Sequence, residues 1–267
     1  MSTLALDTAI RPWSPSAAGA YQTCPRKWSY NYGPHKTPYP DTVLPLSAAR
    51  GRVLHAALAA AYEAAIVELS TAPGPLTGAR MDRYFRAARI ALGKAWERER
   101  MPSDPNEALE CVRVLTEVLQ AQPVPAPGDI YAVERRIRVR TPGGLLVTIV
   151  PDLVLWRRRD RGVLRVRDWK SGTVTPHHVQ RSQQLLIYAG LLAEGDPAVT
   201  AVDIELYSLS RVASHVDTTV SPDRIIEAID RLERTAAKAE ADTDPQPKPG
   251  PHCGSCPFLR ICPATAR

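Results

Sequence analysis

Two carboxylates and an ammonium group stand close together in the middle of the chain, where Val150-Pro151-Asp152-Leu153 is followed by Arg167-Asp168-Trp169-Lys170-Ser171-Gly172. Side chains two apart on a strand share a face. Asp168 and Lys170 therefore project together with Leu164 and Val166, while Arg165, Arg167 and Trp169 project the other way. In the neighbouring strand Asp152 is expected to share its face with Val150 and Val154. Burying such charges costs on the order of several kcal/mol unless they are paired or bind a metal. Hard oxygen donors suit a magnesium or manganese ion. That ion would polarise a phosphoryl oxygen and deliver hydroxide, with Lys170 orienting the water or offsetting developing charge. The competing reading of an isolated Asp-x-Lys is an ion pair at a strand end.

Two further patterns bear on that choice. Gly51-Arg52-Val53-Leu54-His55 puts His55 one helical turn after Gly51 on the same face. The glycine lets its helix approach a sheet closely, which brings the imidazole within reach as a nitrogen ligand. Gln184 and Tyr188 also stand one turn apart, with Gln180 one turn earlier, a row that suits phosphate binding or an ordinary half-exposed helix face.

The cysteines pose a separate question. Cys253, Cys256 and Cys262 form Cys-x2-Cys-x5-Cys near the end of the chain, and a fourth thiolate must come from Cys24 or Cys111. The odd total of 5 argues against a disulfide framework. Clustered thiolates point to structural zinc or to an iron–sulfur cluster, and the spacing alone leaves both open.

The elements that must position these groups follow from pattern and punctuation. A helix capped by Ser14 or Ser16 is expected to run to Tyr30, with further helices over Ser47–Leu69, Gly78–Arg100 and Pro105–Gln122. Pro-rich Gln122–Gly128 ends that part. Strands follow over Ile130–Arg140, Leu145–Trp156 and Val163–Lys170, the first two joined by a turn at Thr141-Pro142-Gly143-Gly144. Thr175–Leu192 reads as a helix, Ala201–Ser208 and Val212–Thr219 as strands, and Pro222 opens a helix to Ala241. This order is α/β with a mixed sheet.

Composition limits the alternatives. A chain of 267 residues that is 44% hydrophobic can bury a core, which excludes collagenous, mucin-like and wholly disordered classes. The best apolar run, Leu185–Ala193, falls far short of the roughly 20 residues a bilayer requires. Met1–Pro12 shows no basic flank with an apolar block, so a cytoplasmic protein with no membrane partner is expected. The net charge is +6, and only six of the 34 basic residues are lysines. Arginine's planar fork suits phosphate, so a nucleic-acid partner fits, as does a merely solvated surface. Arg136, Arg138 and Arg140 share one strand face and are candidates for a backbone track.

In order, Gly-x-x-x-His, Pro-Asp, Asp-x-Lys and Gln-x-x-x-Tyr over Gly51–Tyr188 resemble the PD-(D/E)XK nuclease superfamily, and more narrowly its RecB-like branch. The resemblance implies a restriction-endonuclease-like core, a central mixed sheet flanked by helices. His55, Asp152, Asp168 and the carbonyl of Trp169 would bind Mg2+ or Mn2+. Lys170 would position the attacking water, and Gln184 and Tyr188 would line the DNA path. One departure is Ile149-Val150-Pro151, where RecB-like members usually carry a glycine and a basic residue; every implied ligand is still present.

Cys24-Pro25-Arg26-Lys27 together with the distant C-terminal cysteines also resembles the iron–sulfur subset of that branch, which includes CRISPR-associated exonucleases and the nuclease domain of AddB-type repair subunits. Cys24, Cys253, Cys256 and Cys262 would then hold a [4Fe-4S] cluster joining an N-terminal helical part to the C-terminal tail. One nuclease domain over 1–267 is implied, mainly helical over 14–122, with its core at 129–241 and a Pro-rich tail at 242–267. The expected activity is a metal-dependent DNA exonuclease on single strands or DNA ends, alone, as a homo-oligomer or with DNA-processing partners. The rivals are a non-catalytic DNA-binding or assembly module, and a zinc-stapled interaction protein with unrelated ion pairs.

Overall fold

Apolar strands separated by short polar breaks set the architecture of the computed structural model, which describes residues 12–38, 46–71, 78–121, 130–157, 162–194, 196–210 and 215–265. The chain divides into two compact units. The first comprises 44–136 and 150–222 and holds helices α3 (Leu46–Thr71), α4 (Ala79–Arg98) and α5 (Pro105–Ala121). It also holds strands β1 (Ile130–Val133), β4 (Leu153–Arg157), β5 (Val163–Lys170), β6 (Ala201–Ser208) and β7 (His215–Thr219), with α6 (Pro176–Gln180) and α7 (Gln183–Glu194) between β5 and β6. Its sheet runs in the order β1-β4-β5-β6-β7, with β5 and β6 parallel and the other pairs antiparallel. The α/β fold with a mixed sheet is therefore as expected. The helical crossover between β5 and β6 is what permits their parallel pairing.

Alternation along these strands divides the sheet into two faces. Val133, Leu153, Leu155, Trp169 and Tyr207 join one core with Val53, Leu54, Leu58 and Tyr62 of α3 and with buried residues of α4 and α5. The alternate residues Val154, Val166 and Ile204 are fully buried on the opposite face, where α7 packs against β5 and β6. Charges also sit on the α3 face: Glu205 is fully buried, with its carboxylate 2.6 Å from Arg167 Nε and 3.0 Å from Arg165 Nε. The parallel register places Arg165 opposite Asp203 and Arg167 opposite Glu205, so unlike charges face each other across the ladder.

The second unit is drawn from 1–43, 137–149 and 223–267. It contains α1 (Pro15–Thr23), α2 (Pro25–Asn31), the hairpin β2 (Ile137–Arg140)–β3 (Leu146–Ile149), α8 (Pro222–Ala241), and three short 3-10 turns at Pro251–Ser255, Leu259–Ile261 and Pro263–Thr265. Trp13 organises it. Its backbone pairs with Leu146 and Thr148 of β3, its ring stacks on Trp28 at 5.7 Å, and its Nε1–H donates to Glu240 at 2.7 Å. In the hairpin turn Gly144 takes φ +86, a conformation that favours glycine, while Gly143 N–H donates to Glu233 of α8.

Four expected elements are each divided. The N-terminal helix breaks at Cys24, since the residue before a proline is pushed out of the helical region; Cys24 is extended at φ −158 and ψ 109. Ile130–Arg140 breaks at Glu134, which has φ +43. Leu145–Trp156 breaks at Val150-Pro151-Asp152, because Pro151 has no N–H for the ladder. Asp152 therefore lies in a bend and does not share a strand face with Val150 and Val154. Thr175–Leu192 breaks at Arg181-Ser182, where the Ser182 hydroxyl accepts the Leu185 N–H at 3.3 Å and caps α7. Gln180 is thus on another helix from Gln184 and Tyr188. Of the expected strand Val212–Thr219, residues 212–214 lie outside the described residues, as does most of Met1–Pro12. Among the described residues no helix is long and apolar enough to cross a membrane.

Candidate active site

The close helix–sheet approach read from Gly51 is present. A Cβ at that position would lie 3.2 Å from the Ser171 side chain just beyond β5. One turn on, the His55 Nε2–H donates to the carbonyl of Trp169 at 2.8 Å. Its Nδ1 lies 3.5 Å from Asp152 Oδ1 and 3.6 Å from Glu134 Oε1. The Trp169 ring stacks on Tyr62 at 5.9 Å and meets His55 edge-on at 5.7 Å, so α3 packing orients both the imidazole and the carbonyl.

The bend at Val150-Pro151 delivers Asp152, whose Oδ2 accepts the Trp169 N–H at 2.7 Å. Asp168, on the α7 face of β5, is 3% exposed, which leaves its carboxylate dependent on its neighbours. Oδ1 accepts from Gln184 Nε2 at 3.2 Å, and Oδ2 lies 2.5 Å from Lys170 Nζ. Gln184 also donates to the Tyr188 hydroxyl at 3.0 Å. His55, Asp152, Asp168, Trp169, Lys170, Gln184 and Tyr188 thus meet within one unit.

Glu134 completes the group and was not among the residues singled out in the sequence. Its N–H donates to the Asp152 carbonyl at 3.1 Å, fastening the two acidic bends together. His55, Glu134 and Asp152 are the one set of three possible metal ligands within 4.8 Å of one another among the described residues. Asp168 stands just outside that set, held by Lys170 and Gln184. The available signal for Glu134 was an acidic residue closing the apolar run Ile130–Val133; reading the whole of Ile130–Arg140 as one strand hid it.

The electrostatics are those of a crowded anionic pocket. Burial and the charge of Asp152 push Asp168 up to about 6, against the opposing pull of Lys170. Burial disfavours the charged form of His55, but its bonds to Asp152 and Glu134 prevail and lift it to about 10. Burial also pushes the Tyr188 hydroxyl up to about 12, so it stays protonated as a donor. Three carboxylates, an imidazole and a carbonyl at this spacing fit a hard divalent cation, which would offset the repulsion now borne by Asp168.

Four of the five cysteines, Cys24, Cys253, Cys256 and Cys262, lie in the second unit, and Cys111 lies in the first. Cys24 is extended by Pro25, is 7% exposed, and accepts the Lys248 N–H at 3.4 Å. Cys24, Cys253, Cys256 and Cys262 line one pocket with Tyr30 and Phe258. Cys111 is fully buried in α5 beside Glu107, where burial pushes its thiol up to about 11. Of the candidate basic track, Arg138 and Arg140 are exposed on β2, whereas Arg136 precedes the strand.

A family model described as the PD-(D/E)XK nuclease superfamily matches residues 12–263. Among solved structures, one described as a candidate exonuclease from Eubacterium rectale has a TM-score of 0.50 at 7% identity, over 100% of this chain and 93% of that one. The crystal structure of SSO0001 is 15% identical over 79% of this chain and 85% of that one, at a TM-score of 0.33. No curated protein matches the chain.

Proposed function

Because the chain belongs to the PD-(D/E)XK nuclease superfamily, we propose that it is a metal-dependent DNA exonuclease of the RecB-like kind, acting on single strands or DNA ends. The observation that carries this is the convergence of His55, Glu134, Asp152 and the Trp169 carbonyl beside Asp168 and Lys170. The name of the Eubacterium rectale fold relative agrees with that class. His55, Asp152, Asp168 and Trp169 hold Mg2+ or Mn2+ in this reading, with Glu134 as a further oxygen donor. The bound ion supplies Lewis acidity and lowers the pKa of a water molecule. Lys170 reaches from buried Asp168 toward solvent, its side chain 42% exposed, and so can orient that water and offset charge on the phosphate. Tyr188 and Gln184 hold Asp168 from the opposite side and present donors to the DNA backbone.

We further propose a [4Fe-4S] cluster on Cys24, Cys253, Cys256 and Cys262. What supports it is that these four thiols, from the two ends of the chain, line one pocket, and that Cys24-Pro25-Arg26-Lys27 with the C-terminal Cys-x2-Cys-x5-Cys resembles the iron–sulfur subset. Protein purified anaerobically should be brown and contain iron and acid-labile sulfide. A colourless preparation with stoichiometric zinc would overturn the cluster.

The test of activity uses DNA strands labelled at either end and a circular control, with Mg2+ or Mn2+. Linear single strands should be degraded and circles spared. Asp168→Ala and Lys170→Ala should lose activity by at least a hundredfold while folding and cluster persist. Equal activity in these variants would remove the proposed site.

A further inference from the structure

A groove in the second unit combines a row of cations with a floor tied to the cysteine pocket. Arg231, Arg234 and Lys238 are exposed on one face of α8, stepping along the helix by about 4.5 and 6 Å at 1.5 Å per residue. That interval is on the scale of successive phosphates in a nucleic-acid strand. The three line an open groove of about 540 Å3 together with Lys248.

The carboxylates nearby are largely committed. Asp242 accepts the Tyr21 hydroxyl at 2.8 Å, and Asp244 pairs with Arg26 at 3.3 Å and accepts from Gln246. Arg231 pairs with Glu227 at 2.9 Å and Arg234 with Asp230 at 4.0 Å, both as exposed pairs on the helix surface. Such pairs are worth little and give way to a phosphate. Lys238 has no ion-pair partner among the described residues. Lys248 lines this groove and the cysteine pocket alike; its N–H rests on Cys24 Sγ and its Nζ on the Gln22 carbonyl at 3.5 Å.

We propose that this α8 groove is a second binding site, a track for the phosphodiester backbone of single-stranded DNA outside the catalytic carboxylates. It rests on the nuclease reading above and adds to it where the strand is held. Its contacts are to phosphate, so binding is indifferent to base sequence and falls steeply with salt. The wall from Asp242 to Lys248 leads directly into the cysteine pocket, so a cluster there also braces the track.

The experiment measures binding apart from cleavage. Fluorescence anisotropy of a labelled oligothymidylate in EDTA is compared for the full chain, for R231Q/R234Q/K238Q, and for the charge-matched control R86Q/R89Q/K94Q on exposed positions of α4. The groove variant should bind at least tenfold more weakly, and its log K against log salt should be shallower by about 2, as three lost single-strand phosphate contacts require. The control should stay within twofold. Parental affinity in the groove variant, or an equal loss in the α4 control, overturns the track while leaving the nuclease reading intact. A parent protein that neither binds DNA nor cuts it with metal present overturns both. Unchanged thermal melting of the groove variant shows that a weakened affinity is not misfolding.

Discussion

At the scale of single residues, His55 shows how the pocket prepares for a cation. Its charge is held by Asp152 and Glu134, which lift it from the ordinary 6.5 to about 10. A group whose folded pKa is raised contributes stability that is complete below the unfolded value and is lost as pH climbs through the folded one. The metal-free protein should therefore lose stability between about pH 6.5 and 10, and His55→Gln should flatten that part of the curve in urea titrations. An identical slope in the variant would show that the imidazolium does not bind its two carboxylates. A bound metal replaces that proton, so calorimetry in buffers of different ionisation enthalpy should record proton release on Mn2+ uptake. Glu134→Gln keeps size and removes charge. It should weaken Mn2+ binding by about tenfold or more, a cost in the range seen when groups that support a metal are removed; unaltered affinity would exclude Glu134 as a donor.

At the scale of elements, the parallel β5–β6 pair carries Asp168 and Lys170 on one face and a buried salt-bridge network on the other. Glu205→Ala leaves Arg165 and Arg167 in the core without the carboxylate between them, and removal of one partner from a buried pair costs about 3–5 kcal/mol. Chemical denaturation should report that loss; a change under about 1 kcal/mol would mean that solvent reaches the arginines. Elements of this kind were legible where a short pattern repeats: the alternation of Val163–Lys170 placed Asp168 with Lys170 and against Trp169, and Gly51 announced the close approach of α3. The breaks were legible only in part. Pro25 and Pro151 were visible stops that longer apolar runs outweighed, and Ser182 is a capping residue within a helical pattern. The positive φ of Glu134 had no local signal, since nothing but tertiary fastening to Asp152 imposes it on a non-glycine residue. Each break mattered chemically: an unbroken strand would carry Asp152 in a ladder, and an unbroken helix would keep Cys24 inside a turn.

At the scale of the whole molecule, the five cysteines divide by what surrounds them. Cys111 is packed among apolar side chains of α5 with a raised thiol, and it should resist alkylation until the protein unfolds. The other four share a pocket assembled from segments 229 positions apart in sequence, Cys24 and Cys253. The proposed cluster would cross-link that span and remove chain entropy from the unfolded state worth on the order of 5 kcal/mol, reckoned as for a disulfide. That unit has modest resources otherwise: two short helices, a two-stranded hairpin, α8 bonded to Trp13 and Gln22, and a Pro-rich tail bonded to Tyr21 through Asp242. Cys24→Ser should therefore bleach the protein, lower its melting temperature, and open the 242–265 tail to protease before the sheet and its helices unfold. Hydrogen exchange resolves the order, because amides of α8 and the tail should lose protection while those of β5 and β6 keep theirs. Full protection of the tail in a bleached Cys24→Ser protein would show that packing around Trp13 suffices and that the cysteines serve something other than stability.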